Sequence, residues 1–260
     1  MKKEFKIAII GTGNVAWHLG EAFENAGHTV TEVFGRSLAK ARSISERLYA
    51  TLPKDELDFS DSEAEIFVMA VTDEAIPELA DAIILPEETI LVHTSGSVPL
   101  EMLSYSSAHY TGIFYPLQSF TKSRKMDLSD VPFLLETEDR GVMQALKKLA
   151  KSISPLCYEV DGKDRKAIHV AAVFVSNFTN HMIRIGEEIM HRQGLDVEML
   201  KPLLIEQVSK CLEMGPMKSQ TGPALRGDIS TLEAHHQFLA YNESFAEIYK
   251  VISQDIMDSF

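Results

Sequence analysis

Short apolar runs alternate with stretches of helical periodicity over the first part of the chain, and helical periodicity alone fills the rest. Apolar runs at 7–10, 29–34, 66–71, 90–93, 112–115 and 133–136 read as strands, with a last one at 158–160. Most are apolar without a polar alternation, the pattern of strands covered on both faces. Between them the spacing predicts helices over 15–26, 38–48 and 142–152. The alternation predicts an α/β fold, a doubly wound parallel sheet. After Asp161-Gly162-Lys163-Asp164 the strand signal stops. Helical patterns follow at about 165–193, 197–213 and 232–257, with Asp164 as the expected N-cap of the first and Gly194 as its end. Gly215-Pro216 and Gly222-Pro223 punctuate the remainder. The expected organisation is therefore a sheet domain over 1–161 and an all-helical domain over 162–260, with an active site in the cleft between them.

The first strand runs into a glycine-rich turn, Ile10-Gly11-Thr12-Gly13-Asn14-Val15-Ala16, and then into a helix. Gly11 suits the tight turn and Gly13 leaves room for a pyrophosphate at the backbone. The helix that starts there aims free N–H groups and its positive end at the phosphates. Ala16 takes the third position, where helix and strand pack closely. This makes the sheet domain Rossmann-type, with a dinucleotide site built on Gly11, Thr12, Gly13, Asn14 and Val15.

The end of the second strand separates the cofactors. NAD binders, like methyltransferases, place a carboxylate there for the ribose hydroxyl. Here the strand leads into Phe34-Gly35-Arg36-Ser37, with Lys40 and Arg42 beyond. Arg36 can offer its fork to a 2′-phosphate while Ser37 donates a hydroxyl, which predicts NADP(H). The plainer alternative is a solvated loop arginine.

Charge narrows the field. Asp and Glu number 38 against 25 Lys plus Arg, a formal net charge of -13. That balance argues against nucleic-acid and anionic-membrane partners. It also requires an anionic cofactor to be held by a few local cations and backbone amides. The 45% apolar fraction is ample for a core, and no apolar run has the length of a membrane span. Cys157 and Cys211 stand far apart without metal-type spacing, so two reduced thiols and no metal site are expected. Met1-Lys2-Lys3-Glu4 leads directly into the first strand, without a signal peptide. The expected location is cytoplasmic.

Candidate chemistry lies at the strand ends and in the helical domain. Val71-Thr72-Asp73 and His93-Thr94-Ser95-Gly96-Ser97 follow two strands, on the edge where such sheets bind ligands. Val71, Thr72 and Asp73 are cofactor candidates, with a helix cap as the alternative for Asp73; Ser95 is placed beside the nicotinamide. His93 reads as a satisfied strand-end histidine. Tyr115 and Gln118 leave their strand where a cleft is expected. His169, Asn177 and His181 lie in the long helix at multiples of four, a spacing that makes Asn177 and His181 neighbours and turns His169 away from His181. They are catalytic candidates; structural hydrogen bonding at an interface is the alternative. In Gln220-Thr221-Gly222-Pro223-Ala224-Leu225-Arg226-Gly227-Asp228, Arg226 suits a clamp for a substrate carboxylate, with Asp228 orienting it. His235 and His236 follow as possible acids or bases.

Together these motifs resemble the 6-phosphogluconate-dehydrogenase-like oxidoreductases, which include pyrroline-5-carboxylate reductase, ketopantoate reductase and deazaflavin-dependent NADP oxidoreductases. More closely, nearly the whole chain is similar to a bacterial group of uncharacterised NADP oxidoreductases. The resemblance rests on Gly11-x-Gly13-x-x-Ala16, Ala70-Val71-Thr72-Asp73, Tyr115-Pro116-Leu117-Gln118-Ser119-Phe120, Ser176-Asn177 and Thr221-Gly222-Pro223-x-x-Arg226-Gly227-Asp228. It implies an NADP site in the first domain and a homodimer through the helical domain. The sequence departs from the hydroxyacid dehydrogenases at their catalytic lysine, one turn before Asn177, where Val173 stands. Another group must then supply the proton, with His169, His181 and His235 as candidates. The closer group often carries His where this chain has Tyr115. The expected activity is NADP(H)-dependent hydride transfer to or from a C=O or C=N bond of a small, carboxylated metabolite. The alternatives are a non-catalytic NADP(H) sensor and a reductase of a deazaflavin or flavin.

Overall fold

The computed structural model describes residues 4–260; the reading of Met1, Lys2 and Lys3 lies outside the described residues. Two compact units divide the chain, residues 1–176 and 177–260.

In the first unit β1 (Lys6–Ile10), α1 (Asn14–Asn25) and β2 (Thr29–Phe34) form the opening β-α-β turn of the sheet. They are followed by α2 (Leu38–Ser45), β3 (Leu52–Lys54), β4 (Ile66–Met69), α3 (Ile76–Ala82) and β5 (Ile90–His93). Then come β6 (Tyr110–Pro116), β7 (Phe133–Glu136), α4 (Arg140–Ile153), β8 (Cys157–Glu159) and α5 (Gly162–Ala172). The strands build one sheet in the order β3-β2-β1-β4-β5-β6-β7-β8. Every pairing is parallel except β6 with β7.

Alternation along a strand sends neighbouring side chains to opposite faces. Ile7 and Ile9 of β1 join Leu19, Phe23 and Phe114 in one buried cluster, while Ala8 and Ile10 join Phe67, Met69 and Leu91 in the other. Burial on both faces is why these strands read as unbroken apolar runs. The sheet order reverses at β1, whose neighbours β2 and β4 run on either side of it. A crevice opens at such a reversal, beyond the strands' C-terminal ends.

Two boundaries differ from the sequence reading. Asp161, not Asp164, caps α5: its carboxylate accepts from the Asp164 N–H at 2.8 Å. The expected single helix after it is three pieces, α5, a wider π-type turn at Val173–Phe178, and α6 (Thr179–Arg192).

The second unit holds α6, α7 (Lys201–Met214), the short α8 (Pro216–Ser219), α9 (Ile229–Phe238) and α10 (Glu243–Ser259). The helix expected over 232–257 breaks where Asn242 caps α10 by accepting from the Phe245 N–H at 3.2 Å. The buried core of this unit is small, Leu239, Phe245 and Ala246 against Ile185, Ile189 and Tyr249. By contrast Leu203, Ile205 and Leu212 of α7 are 67%, 67% and 82% exposed. Among the described residues no helix is long and apolar enough to cross a membrane.

Candidate functional site

At the end of β1 the chain must turn between its two neighbouring strands. Gly11 N–H donates to the Phe34 carbonyl at 2.9 Å, and Ala70 N–H to that of Ile10 at 2.8 Å. Gly11 has φ +127°, and a Cβ on it would stand 2.2 Å from the Ala70 carbonyl oxygen. Only glycine fits here. At Gly13 an added Cβ would meet nothing nearer than 3.8 Å, so the turn is open on that side. α1 then begins at Asn14 with no side-chain cap, which leaves its first N–H groups for an anion.

A groove of about 600 Å³ lies over this turn. It is lined by Gly11 to Val15, by Val71 and Thr72 after β4, and by Gly35 and Arg36 after β2. Gly35 is needed too, since a Cβ there would come within 2.6 Å of Thr12 Cγ2. Arg36, Lys40 and Ser43 also line it, as does one carboxylate, Glu78 of α3; among the described residues the ion pairs do not include Arg36 or Lys40. Lys122 closes the near end, donating from Nζ to the Thr12 carbonyl at 2.7 Å. Its ammonium also lies 5.2 Å from the ring centre of Trp17, on which Arg47 stacks at 3.6 Å. Lys40 stands in the sequence as a cation beyond Arg36; Ser43 and Lys122 are not singled out there. Ser37, at the start of α2, does not line the groove.

A second polar cluster gathers residues that follow β4 and β5 with others from β6, β7 and α5. Asp73 and Ser95, expected at the cofactor, belong to it. Asp73 accepts from the Ser97 hydroxyl. Ser95 Oγ accepts from the N–H groups of Ser97 and Val98 at 3.0 Å each, so it shapes its own loop. His93 is fully buried, with Nδ1 accepting from the Ser95 N–H at 3.1 Å. Its Nε2 makes no hydrogen bond among the described residues. Burial and the nearby Arg165 guanidinium lower its pKa to about 4, against weaker pulls from the Pro99 carbonyl and Asp73.

Arg165 is 1% exposed. Its Nε donates to Glu136 at 2.8 Å and one terminal nitrogen to the Ser95 carbonyl at 3.4 Å. One helical turn on, His169 Nδ1 lies 3.1 Å from the Tyr115 hydroxyl. The four-residue step puts Arg165 and His169 on one face of α5. Gly96 passes directly under this contact: a Cβ there would be 2.4 Å from His169 Nδ1 and 2.8 Å from the Tyr115 ring. Burial raises the Tyr115 pKa, with Asp73 adding to the effect and Arg165 opposing it.

The remaining candidates are dispersed. Asn177, within the π-type turn, and His181, on α6, are exposed and make no side-chain hydrogen bond among the described residues. Arg226 is exposed in the polar turn before α9. The expectation that Asp228 orients it is not met. Asp228 is the N-cap of α9, accepting from Thr231 N–H at 3.2 Å and from the hydroxyls of Thr231 and Ser230 at 2.7 and 3.0 Å. Those bonds hold its carboxyl below the usual range, with Arg226 adding least. His235 is bonded through Nδ1 to the Tyr249 hydroxyl at 2.8 Å.

Comparison with known proteins bears on the whole chain. The Rossmann-like domain family matches residues 1–111, and a domain of unknown function, DUF2520, matches 131–256. No curated protein matches. A Bacteroides fragilis protein described as a putative NADP oxidoreductase superposes with TM-score 0.90 at 31% identity, over 98% of each chain. A Thermotoga maritima protein superposes with TM-score 0.76 at 24% identity, over 97% of this chain and 99% of that one. The fold is shared at 13% identity by a reductive aminase from Aspergillus terreus, solved with NADPH and ethyl levulinate, with TM-score 0.72 over 98% and 95% of the two chains. With that identity and coverage against the Bacteroides protein, the chain belongs to its family, in which a Rossmann-like domain precedes a helical DUF2520 domain.

Proposed function

We propose that the protein is an NADP(H)-dependent oxidoreductase acting on a C=O or C=N bond of a small, carboxylated metabolite. The observation that carries the cofactor assignment is the groove over Gly11 and Gly13, whose lining holds Arg36, Lys40 and Ser43, with Gly35-Arg36 rather than an acid following β2; its one carboxylate, Glu78, comes from α3. The backbone of Thr12 to Val15 and the N-terminus of α1 suit the pyrophosphate. Arg36 and Lys40 suit a 2′-phosphate, which an NAD-type carboxylate would repel. Lys122 adds a cation beside the Thr12 carbonyl. The Bacteroides relative is described as a putative NADP oxidoreductase, which supports the same reading. When bound, the cofactor supplies or accepts the hydride; the chain's own groups bind it, orient it and handle the proton.

Arg226 is assigned to the substrate carboxylate, and Asn177 and His181 to polar contacts with the substrate. A homodimer through the second unit accounts for the exposed leucines and isoleucine of α7. The test is loss of nicotinamide absorbance with 2-oxo acids and cyclic imino acids. Arg226→Ala is expected to raise KM at least tenfold with NADPH binding unchanged. No turnover with either class would leave only the cofactor assignment standing.

A further inference from the structure

Reduction of a C=O or C=N bond needs a proton at the heteroatom, which Val173, one turn before Asn177, cannot supply. A half-buried phenol bonded to an imidazole offers another source. We infer that Tyr115 and His169 form a proton-delivery dyad, in which Tyr115 protonates the substrate and His169 recharges it. This rests on the proposed function.

The geometry allows the bond in both protonation states of the imidazole. With His169 neutral, the Tyr115 O–H donates to Nδ1 across the 3.1 Å separation and is engaged. With His169 as imidazolium, Nδ1–H donates to the phenol oxygen, and the O–H is released to an acceptor. Delivery then breaks the Tyr115 O–H bond and forms the heteroatom–H bond. The Nδ1–H bond breaks as the phenol O–H re-forms, and solvent returns a proton to the imidazole. Carbon receives its hydride from NADPH, which leaves as NADP⁺, so the sum is one hydride and one proton per substrate reduced.

Three features of the surroundings fit this use. Gly96 is the residue that lets the two groups meet, since any side chain there would displace the imidazole. Arg165, one turn before His169, fixes α5 to Glu136 of β7 and to the Ser95 carbonyl. The phenol also remains protonated at neutral pH, because burial and Asp73 raise its pKa more than Arg165 lowers it. The charges around the dyad are thus Asp73, Arg165 and Glu136, with buried His93 neutral at pH 7.

The dyad predicts a sign: reduction consumes the proton that the dyad delivers, so it slows as pH rises. The experiment uses the full-length protein as wild type, Tyr115→Phe and Gly96→Ala. Three readouts are taken: the ¹⁵N signals of His169, assigned with His169→Gln; NADPH affinity; and reduction of pyruvate and pyrroline carboxylate against pH. Tyr115→Phe and Gly96→Ala should each move the His169 Nδ1 signal, leave NADPH affinity within about twofold and lower kcat about a hundredfold. The descending pH limb should disappear in Tyr115→Phe. An Nδ1 signal unchanged by Tyr115→Phe, or a Tyr115→Phe enzyme with wild-type kcat and pH limb, overturns the dyad. A wild-type protein that does not bind NADPH overturns the functional reading beneath it, an outcome the affinity readout separates from the other two.

Discussion

Lowering the pH should loosen the first unit through one buried imidazole. His93 is fully buried at the end of β5, neutral, and lowered from 6.5 to about 4. Above pH 6.5 it is neutral folded or unfolded, and its full contribution to stability is present. Between 6.5 and 4 the unfolded chain holds a proton that the folded one does not, so stability falls as pH falls. At about 1.4 kcal/mol per unit, the contribution lost is about 2 kcal/mol at pH 5 and about 3 kcal/mol by pH 4. His93→Asn removes the titration while offering an oxygen to the Ser95 N–H. Trp17, the chain's single tryptophan, lies in the first unit and reports its unfolding in urea. The wild type should lose about 2 kcal/mol more than His93→Asn between pH 7 and pH 5. Parallel stability curves would refute the argument and show that protonated His93 is tolerated where it stands.

Two further outcomes follow from buried or bridging charges. Arg165→Met should destabilise the first unit by about 3 kcal/mol, because Glu136 loses its partner; urea unfolding followed at Trp17 checks it, and adding Glu136→Gln should recover part of the loss. Lys122→Ala should weaken NADPH and NADH by similar factors, about tenfold, since it removes a cation near the shared pyrophosphate. A loss confined to NADPH would move Lys122 to the 2′-phosphate.

Much of the fold is written in local pattern. β1, β4 and β5 are buried on both faces and so appear as apolar runs, while β2 (Thr29-Val30-Thr31-Glu32-Val33-Phe34) is legible through its β-branched residues. β3 escapes that reading, because Leu52-Pro53-Lys54 is a three-residue edge strand with a proline in it. The break before α10 is hidden because Phe238-Leu239-Ala240-Tyr241 continues the apolar period across it. Asp161 and Asp164 are equally good caps in sequence, and only the backbone path selects between them.

The site divides in the same way. Gly11, Gly13 and Arg36 are legible because each answers a backbone or charge requirement within one β-α-β unit. Lys122 reaches Thr12 from 110 residues away, a contact no periodicity announces. Arg165 opens the helix expected after Asp161-Gly162-Lys163-Asp164 as one charged residue among several, and nothing local marks its side chain for burial on Glu136. Tyr115 and His169 are each noticeable as polar groups in apolar surroundings. Their pairing depends on Gly96, a third residue on a different strand end.

The proposed function stands on the glycine turn and Arg36 together making an NADP(H) site. Fluorescence titration of the purified protein with NADPH and NADH, beside Arg36→Ala, tests it most directly. The account predicts that NADPH binds more tightly than NADH, and that Arg36→Ala lowers NADPH affinity at least tenfold while leaving NADH unchanged. Failure of both nucleotides to bind the wild type, or an NADPH affinity indifferent to Arg36, would contradict it.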